Sequence, residues 1–179
     1  MIVAKNPRAN KQGQKREKKE FSEELLNLAR VTRVVKGGRR MRFKATVAIG
    51  NKKGKVGLGT GKSSEVATAV QKAVAAAKKS LIDIPLTETF SVPHSVKLKY
   101  KAARMLVMPA SEGTGVKAGG VMRKIFELAG IHNVFGKRFG TTTPLVNAQA
   151  TMKMLERIKT PKKAAPVVVA ETVLEEESK

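Results

Sequence analysis

The chain has no cysteine and no tryptophan, a single tyrosine and six phenylalanines. Without cysteine it can form neither a disulfide nor a thiolate metal site, which fits an intracellular address. So few aromatics argue against reading single strands by base stacking and favour contact with a backbone and its shape. No apolar run approaches the ~20 residues of a membrane-spanning helix, and the N-terminus lacks the apolar centre of a secretory signal. Acid is short too: 14 Asp and Glu stand against 36 Lys and Arg, a formal charge of +22 over 179 residues. Repulsion of that size disfavours a compact chain unless an anionic partner neutralises it.

The charge is not spread evenly. Between Glu24 and Glu65 there is no acidic residue, yet Arg30 to Lys62 holds eleven Lys or Arg. Inside this block, Met41, Phe43, Ala45, Val47 and Ile49 alternate with Arg42, Lys44, Thr46 and Ala48. Period two with branched and aromatic residues predicts a half-buried strand, apolar on one face and cationic on the other. Solvated faces normally mix signs, so a one-sign face points to a polyanion, with nucleic acid foremost.

Four regions are expected. Residues 1–20 read as a disordered basic arm, 21–85 and 86–160 as two small domains, and 161–179 as a disordered tail. The first domain should open with a short helix: Ser22 caps it, Glu23 and Glu24 suit its positive end, and Phe21, Leu25 and Leu28 share a face. Three strands follow, Val31–Lys36, Met41–Ile49 and Lys55–Gly61, turning at Gly37-Gly38 and at the basic loop Gly50–Gly54. The third strand has glycine on one whole face (Gly57, Gly59, Gly61), which invites close approach to its backbone. A helix capped by Ser63 or Ser64 then carries the apolar stripe Val66, Ala69, Val70, Ala73, Val74, Ala77 and Leu81. This helix–three strands–helix order resembles the double-stranded-RNA-binding module. In the second domain, strands are expected at 96–100, 104–108 and 131–139. Helices are expected at 121–129, stopped by Gly130, and from Thr143-Pro144 onward.

Motifs that tempt toward catalysis fail on spacing. Gly61-Lys62-Ser63 ends like a phosphate-cradling P-loop, but the required earlier glycine is Val56. Gly113-Thr114-Gly115-Val116-Lys117-Ala118 fits a relaxed dinucleotide fingerprint without the acidic residue that holds the ribose. His94 and His132 have no co-ligands, so a metal site is not supported. Glu112 reads as shaping its loop by hydrogen bonding. No catalytic residue and no cofactor is expected. The candidate RNA-binding residues are Arg33, Lys36, Gly37, Gly38, Arg39, Arg40, Arg42, Lys44, Lys52, Lys53, Lys55 and Lys62. In the second domain they are Ser111, Gly113, Thr114, Gly115, Lys117, Gly119, Gly120, Lys137 and Arg138. Cations supply phosphate contacts, and glycines and the helix start let backbone N–H groups reach phosphate.

Several of these segments resemble the bacterial-type family of small-subunit ribosomal protein five. They are 34–43 (VVKGGRRMRF), 56–62 with Glu65-Val66, 109–115 through Gly119-Gly120, 129–134 (AGIHNV) and 143–148 (TPLVNA). Together they cover about 20–160. Ser63, Gly136 and Thr143 depart from the family's commoner residues. The resemblance implies an α+β fold: a double-stranded-RNA-binding-like α-β-β-β-α domain, then a two-layer β-α-β-α domain with a left-handed crossover. It implies a non-enzymatic protein of the cytoplasmic ribosome, bound to small-subunit ribosomal RNA near the head–body junction and the messenger entry channel. Its implied partners are that RNA, messenger RNA near the channel, and small-subunit proteins four and eight, with no membrane. It also implies an influence on decoding accuracy and messenger unwinding. Two other readings stand beside it, a free RNA-binding regulator and a nucleotide-using enzyme.

Overall fold

The first sheet is organised by one long hairpin. In the computed structural model, which describes residues 20–158 apart from Glu88, β1 (Ser22–Val35) pairs antiparallel with β2 (Gly38–Gly50) along nearly its whole length. The tail, and the arm up to residue 19, lie outside the described residues. The expected opening helix is therefore a strand. An isolated helix of some eight residues is marginal in water, whereas the extended chain satisfies its backbone groups against β2. A bulge at Leu26 resolves the pattern, for Leu25 stays in register with Val47 while Leu26 packs into the second core.

β3 (Lys55–Ser63) follows β2, and β4 (Leu81–Asp83) closes the sheet in the order β1-β2-β3-β4. Between β3 and β4, α1 (Val66–Lys79) covers one face of the sheet. Its cap position is Glu65, with no side-chain cap; Ser63 instead ends β3 and accepts a hydrogen bond from the Thr68 hydroxyl at 2.6 Å. Leu81, expected on the helix, belongs to β4. The helix stops at Ser80, whose hydroxyl donates to the carbonyl of Leu58 at 2.8 Å.

The glycine face of β3 is filled by α1 itself. A Cβ on Gly57, Gly59 or Gly61 would run into the carbonyl of Ala77, Ala73 or Ala69 respectively. The helix answers with fully buried Ala69, Ala73 and Ala77, so backbone lies on backbone, and Ala45, Val47 and Ile49 complete this layer.

The second sheet has β5 (Val96–Tyr100), β6 (Ala103–Pro109), β7 (Val116–Lys117) and β8 (Val134–Gly140), in the order β5-β6-β8-β7. β7 and β8 are parallel neighbours joined through α2 (Gly120–Ala129), which ends at Gly130 with φ 84°. α3 (Pro144–Glu156) follows β8. The fold is α+β, and the two sheets share a core. Ala48 and Val56 on the other face of the first sheet join Met122, Phe126, Leu128, Met105, Val107 and Leu155 in one buried cluster. The layers thus run α1, first sheet, α2 with α3, second sheet.

The joint between the halves is made at van der Waals limits. Gly50 lies against the carbonyl of Leu128, and Gly130 against that of Lys52, with no room for a Cβ at either. Backbone N–H groups of Lys52 and Gly54 donate to the carbonyls of Leu128 and Ala129 at 3.0 and 2.8 Å. Within the first sheet β2 is consequently buried on both faces from Ala45 to Gly50, so the outward face expected over Arg42, Lys44, Thr46 and Ala48 is open only at its first two residues.

Candidate nucleic-acid interface

Above Phe43 nothing covers the hairpin. Residues 31–42 leave the body as two strands joined by the turn Lys36-Gly37, with Gly38 at φ 129° closing it. Register decides which cations act together. Arg33 lies directly across from Arg40, Val31 from Arg42, and Lys44 from Lys62. Since opposed residues share a face and alternate residues return to it, Arg33, Arg40, Arg42, Lys44 and Lys62 all project from one side. Four of them, Arg33, Arg40, Arg42 and Lys62, line a cavity of about 270 Å³ together with Val31 and Thr32. Arg39 projects to the opposite face with Val34 and Met41, so the run Arg39-Arg40 is split between two sides.

Like charges in direct cross-strand register are destabilising, and here two such pairs, Arg33–Arg40 and Lys44–Lys62, flank Arg42 on the same face. Ion pairs among the described residues lie elsewhere: Lys55 with Asp83 at 3.6 Å, Arg123 with Glu127 at 3.1 Å, and Lys124 with Glu24 at 2.6 Å. No described carboxylate neutralises the four cavity cations. An anion with several charges at phosphate spacing would do so.

The other expected residues fall into separate groups. Lys52, Lys53 and Lys55 sit at the far end of β2, 13 residues long and so ~40 Å from the hairpin turn. There the Asn51 side chain accepts from the N–H groups of Lys53 and Lys55 at 2.8 and 3.0 Å, fixing the loop against the end of α2. A third group is the loop over Ser111–Gly120. The hydroxyls of Ser111 and Thr114 meet at 3.1 Å, and Gly113 and Gly115 take positive φ. Around Gly113, Gly115 and Gly120 a Cβ would meet nothing, and Gly113 and Gly120 are exposed, so a ligand can approach the loop there closely. Glu112 takes no hydrogen-bond partner among the described residues. The anchor is instead Asn133, which sequence reasoning passed over: its side-chain oxygen accepts from Gly115 N–H at 3.3 Å, and its amide donates to Thr89 at 2.9 Å. A polar residue between the apolar Ile131 and Val134 was the available signal.

Lys117 and Lys137 stand on the outer face of the second sheet, whereas Arg138 turns the other way, its side chain beside Gly119. Gly136 is crowded by Met122, Ala118 and Phe126, which fill the space a methyl would take, so β8 packs tightly here. Thr143 precedes α3 without capping it through its side chain. His132 packs edge-on against Phe90 with centroids 5.5 Å apart, and His94 is exposed. Among the described residues no three His, Asp or Glu gather as metal ligands, and no helix is long and apolar enough to cross a membrane.

Comparison with known proteins bears on the family. The family models "Ribosomal protein S5, N-terminal domain" and "Ribosomal protein S5, C-terminal domain" match residues 21–85 and 98–167. The small ribosomal subunit protein uS5c of Cyanophora paradoxa is 46% identical over 151 residues, 84% of this chain and 89% of that protein. The uS5 of Synechococcus elongatus is 47% identical over 141 residues, 79% and 78% of the two chains. That of Mycoplasmopsis agalactiae is 43% identical over 148 residues, 83% of this chain and 64% of the other. Two family models in series and relatives aligned over most of both lengths lead to one conclusion: the chain belongs to the ribosomal protein S5 family.

Proposed function

We propose that this protein is a structural constituent of the small ribosomal subunit whose β1–β2 hairpin holds ribosomal RNA through phosphate contacts. The observation that carries the reading is the convergence of Arg33, Arg40, Arg42 and Lys62 on one concavity, with like charges opposed and no described carboxylate to balance them. Two opposed strands present cations from both sides, so phosphates of a folded RNA backbone can be gripped without any base being read. Lys36, Gly37, Gly38 and Lys44 extend this contact, and Arg39 offers a further cation from the other side of the hairpin. The Lys52–Lys55 loop and the glycine loop Ser111–Gly120 with Lys117, Lys137 and Arg138 make two further contacts. On this reading 21–85 and 86–160 form two RNA-contacting units fixed rigidly to each other.

The finer assignment follows from family likeness. It sets the protein in the cytoplasmic ribosome near the head–body junction and messenger entry channel, beside proteins four and eight, with an influence on decoding accuracy and messenger unwinding. The test is chemical footprinting of small-subunit RNA in particles assembled with the protein, without it, and with its Arg40→Gln/Arg42→Gln variant. Protection lost at one RNA region in the variant, with one copy per particle retained in the wild type, is the expected outcome. Protection unchanged by the double substitution would refute the hairpin as the contact.

A further inference from the structure

The outer face of the second sheet is open and chemically unlike the hairpin. Along β5, β6 and the start of β8 the residues alternate in burial. Val96, Leu98, Met105, Val107 and Val134 face α2 and α3, and the residues between them face outward. Outward stand five cations, Lys97, Lys99, Arg104, Lys117 and Lys137, and none of the four strands contains an acidic residue. Among them lie the exposed Phe135, Phe139 and Met108, the rings 36% and 50% accessible. Register interleaves the two kinds: Lys117 beside Phe135, Lys137 across from Leu106, Arg104 across from Phe139. The Lys117 ammonium is 5.3 Å from the Phe135 ring centre and that of Lys137 is 6.0 Å from Phe139.

We propose that this face is a platform for single-stranded RNA, with bases stacked on Phe135 and Phe139 and phosphates held by the surrounding lysines and Arg104. The proposal rests on the RNA-binding reading above and adds to its phosphate contacts one of different chemistry: the chain is poor in aromatics as a whole, but two of its six phenylalanines stand exposed on this one face, where Lys117 and Lys137 are shared with the neighbouring glycine-loop contact. A protein partner would need an apolar surface studded with carboxylates to match both features. Each unpaired nucleotide carries both in one unit, a π-face and a phosphate. A duplex does not fit, because its bases are stacked on one another and hide their faces. The rings are four residues apart on one strand, ~13 Å, against ~3.4 Å between stacked bases along a helix strand. Each ring therefore takes its own, splayed base.

The test uses the full chain and fluorescence anisotropy with two probes, a labelled oligouridylate of about 12 nucleotides and a labelled RNA hairpin. Phe135→Leu/Phe139→Leu keeps apolar side chains at two exposed positions and removes the rings. Each lost stack should weaken oligouridylate binding at least about fivefold, leaving its salt slope, duplex affinity and far-ultraviolet spectrum unchanged. Oligouridylate affinity indifferent to both rings, or duplex binding that falls in parallel, overturns the platform and would hand this face to a protein partner. Arg40→Gln/Arg42→Gln, run beside it, separates the two ideas: it should weaken the duplex probe more than the single strand. If it leaves duplex binding untouched, the hairpin reading fails, whatever the phenylalanines do.

Discussion

Replacing Arg40 with Gln should move two measurements in opposite directions. Arg40 faces Arg33 across β1 and β2, and opposed residues in such a ladder have Cβ atoms only ~5 Å apart. A like-charge pair there costs about 0.2–1 kcal/mol. Gln keeps length and removes charge, so the free protein should become more stable by about that amount, raising Tm by up to about 4 °C. RNA binding should weaken at the same time. Each phosphate contact adds about 0.9 to the slope of log affinity against log salt on a duplex. Between 50 and 200 mM, a fourfold span, one such contact accounts for about 3.5-fold in affinity and two for about 12-fold. Arg40→Gln should therefore shed about 3.5-fold of the salt-induced loss, and Arg40→Gln/Arg42→Gln about 12-fold. The assay is a thermal melt of free protein beside anisotropy titrations of an RNA hairpin at several salt concentrations. A lower Tm, or an affinity loss with the slope intact, would refute the reasoning, because the arginine would then be structural.

Three further outcomes are expected. Gly59→Ala should destabilise by about 1–3 kcal/mol, as overpacking does, because its methyl meets the Ala73 carbonyl and the Ala77 N–H; Gly37→Ala, in open space at the turn, should leave the urea midpoint within error. Asn133→Ala removes the acceptor for Gly115 N–H and the donor to Thr89, so hydrogen exchange at Gly115 should accelerate and stability fall by about 1–3 kcal/mol. A fragment of residues 20–85 uncovers Ala48, Val56 and Ile82 and should bind a hydrophobic dye and self-associate; a monomeric, dye-silent fragment would contradict the shared core.

How much of this was legible depended on whether a decision was local. The alternation Met41–Ile49 gave β2 its faces, and Gly130 marked the end of α2, because both signals lie within a few residues of what they govern. Leu25 and Leu28 suit a helix and a strand equally, and only pairing with β2, some 20 positions on, decides for the strand. The glycines of β3 announced a close neighbour but not its identity, which proved to be the helix that follows. Arg39, Arg40 and Arg42 lie within four positions of one another in sequence. Strand geometry sends Arg39 to the other side and brings in Arg33 and Lys62 from neighbouring strands. The cationic, phenylalanine-bearing outer face of the second sheet was not legible because Lys97, Lys99 and Arg104 join it only when β8 sets Phe139 opposite Arg104.

The loop that fastens the first sheet onto the end of α2 bears on the order of events during synthesis. Lys52 and Gly54 need carbonyls that emerge roughly 75 residues later. At ~5–20 residues per second the nascent chain spends on the order of 4–15 s with that side of the sheet bare. Until α2 follows, Ala48 and Val56 on that face have no apolar partner, so the first sheet cannot reach its final packing as it emerges.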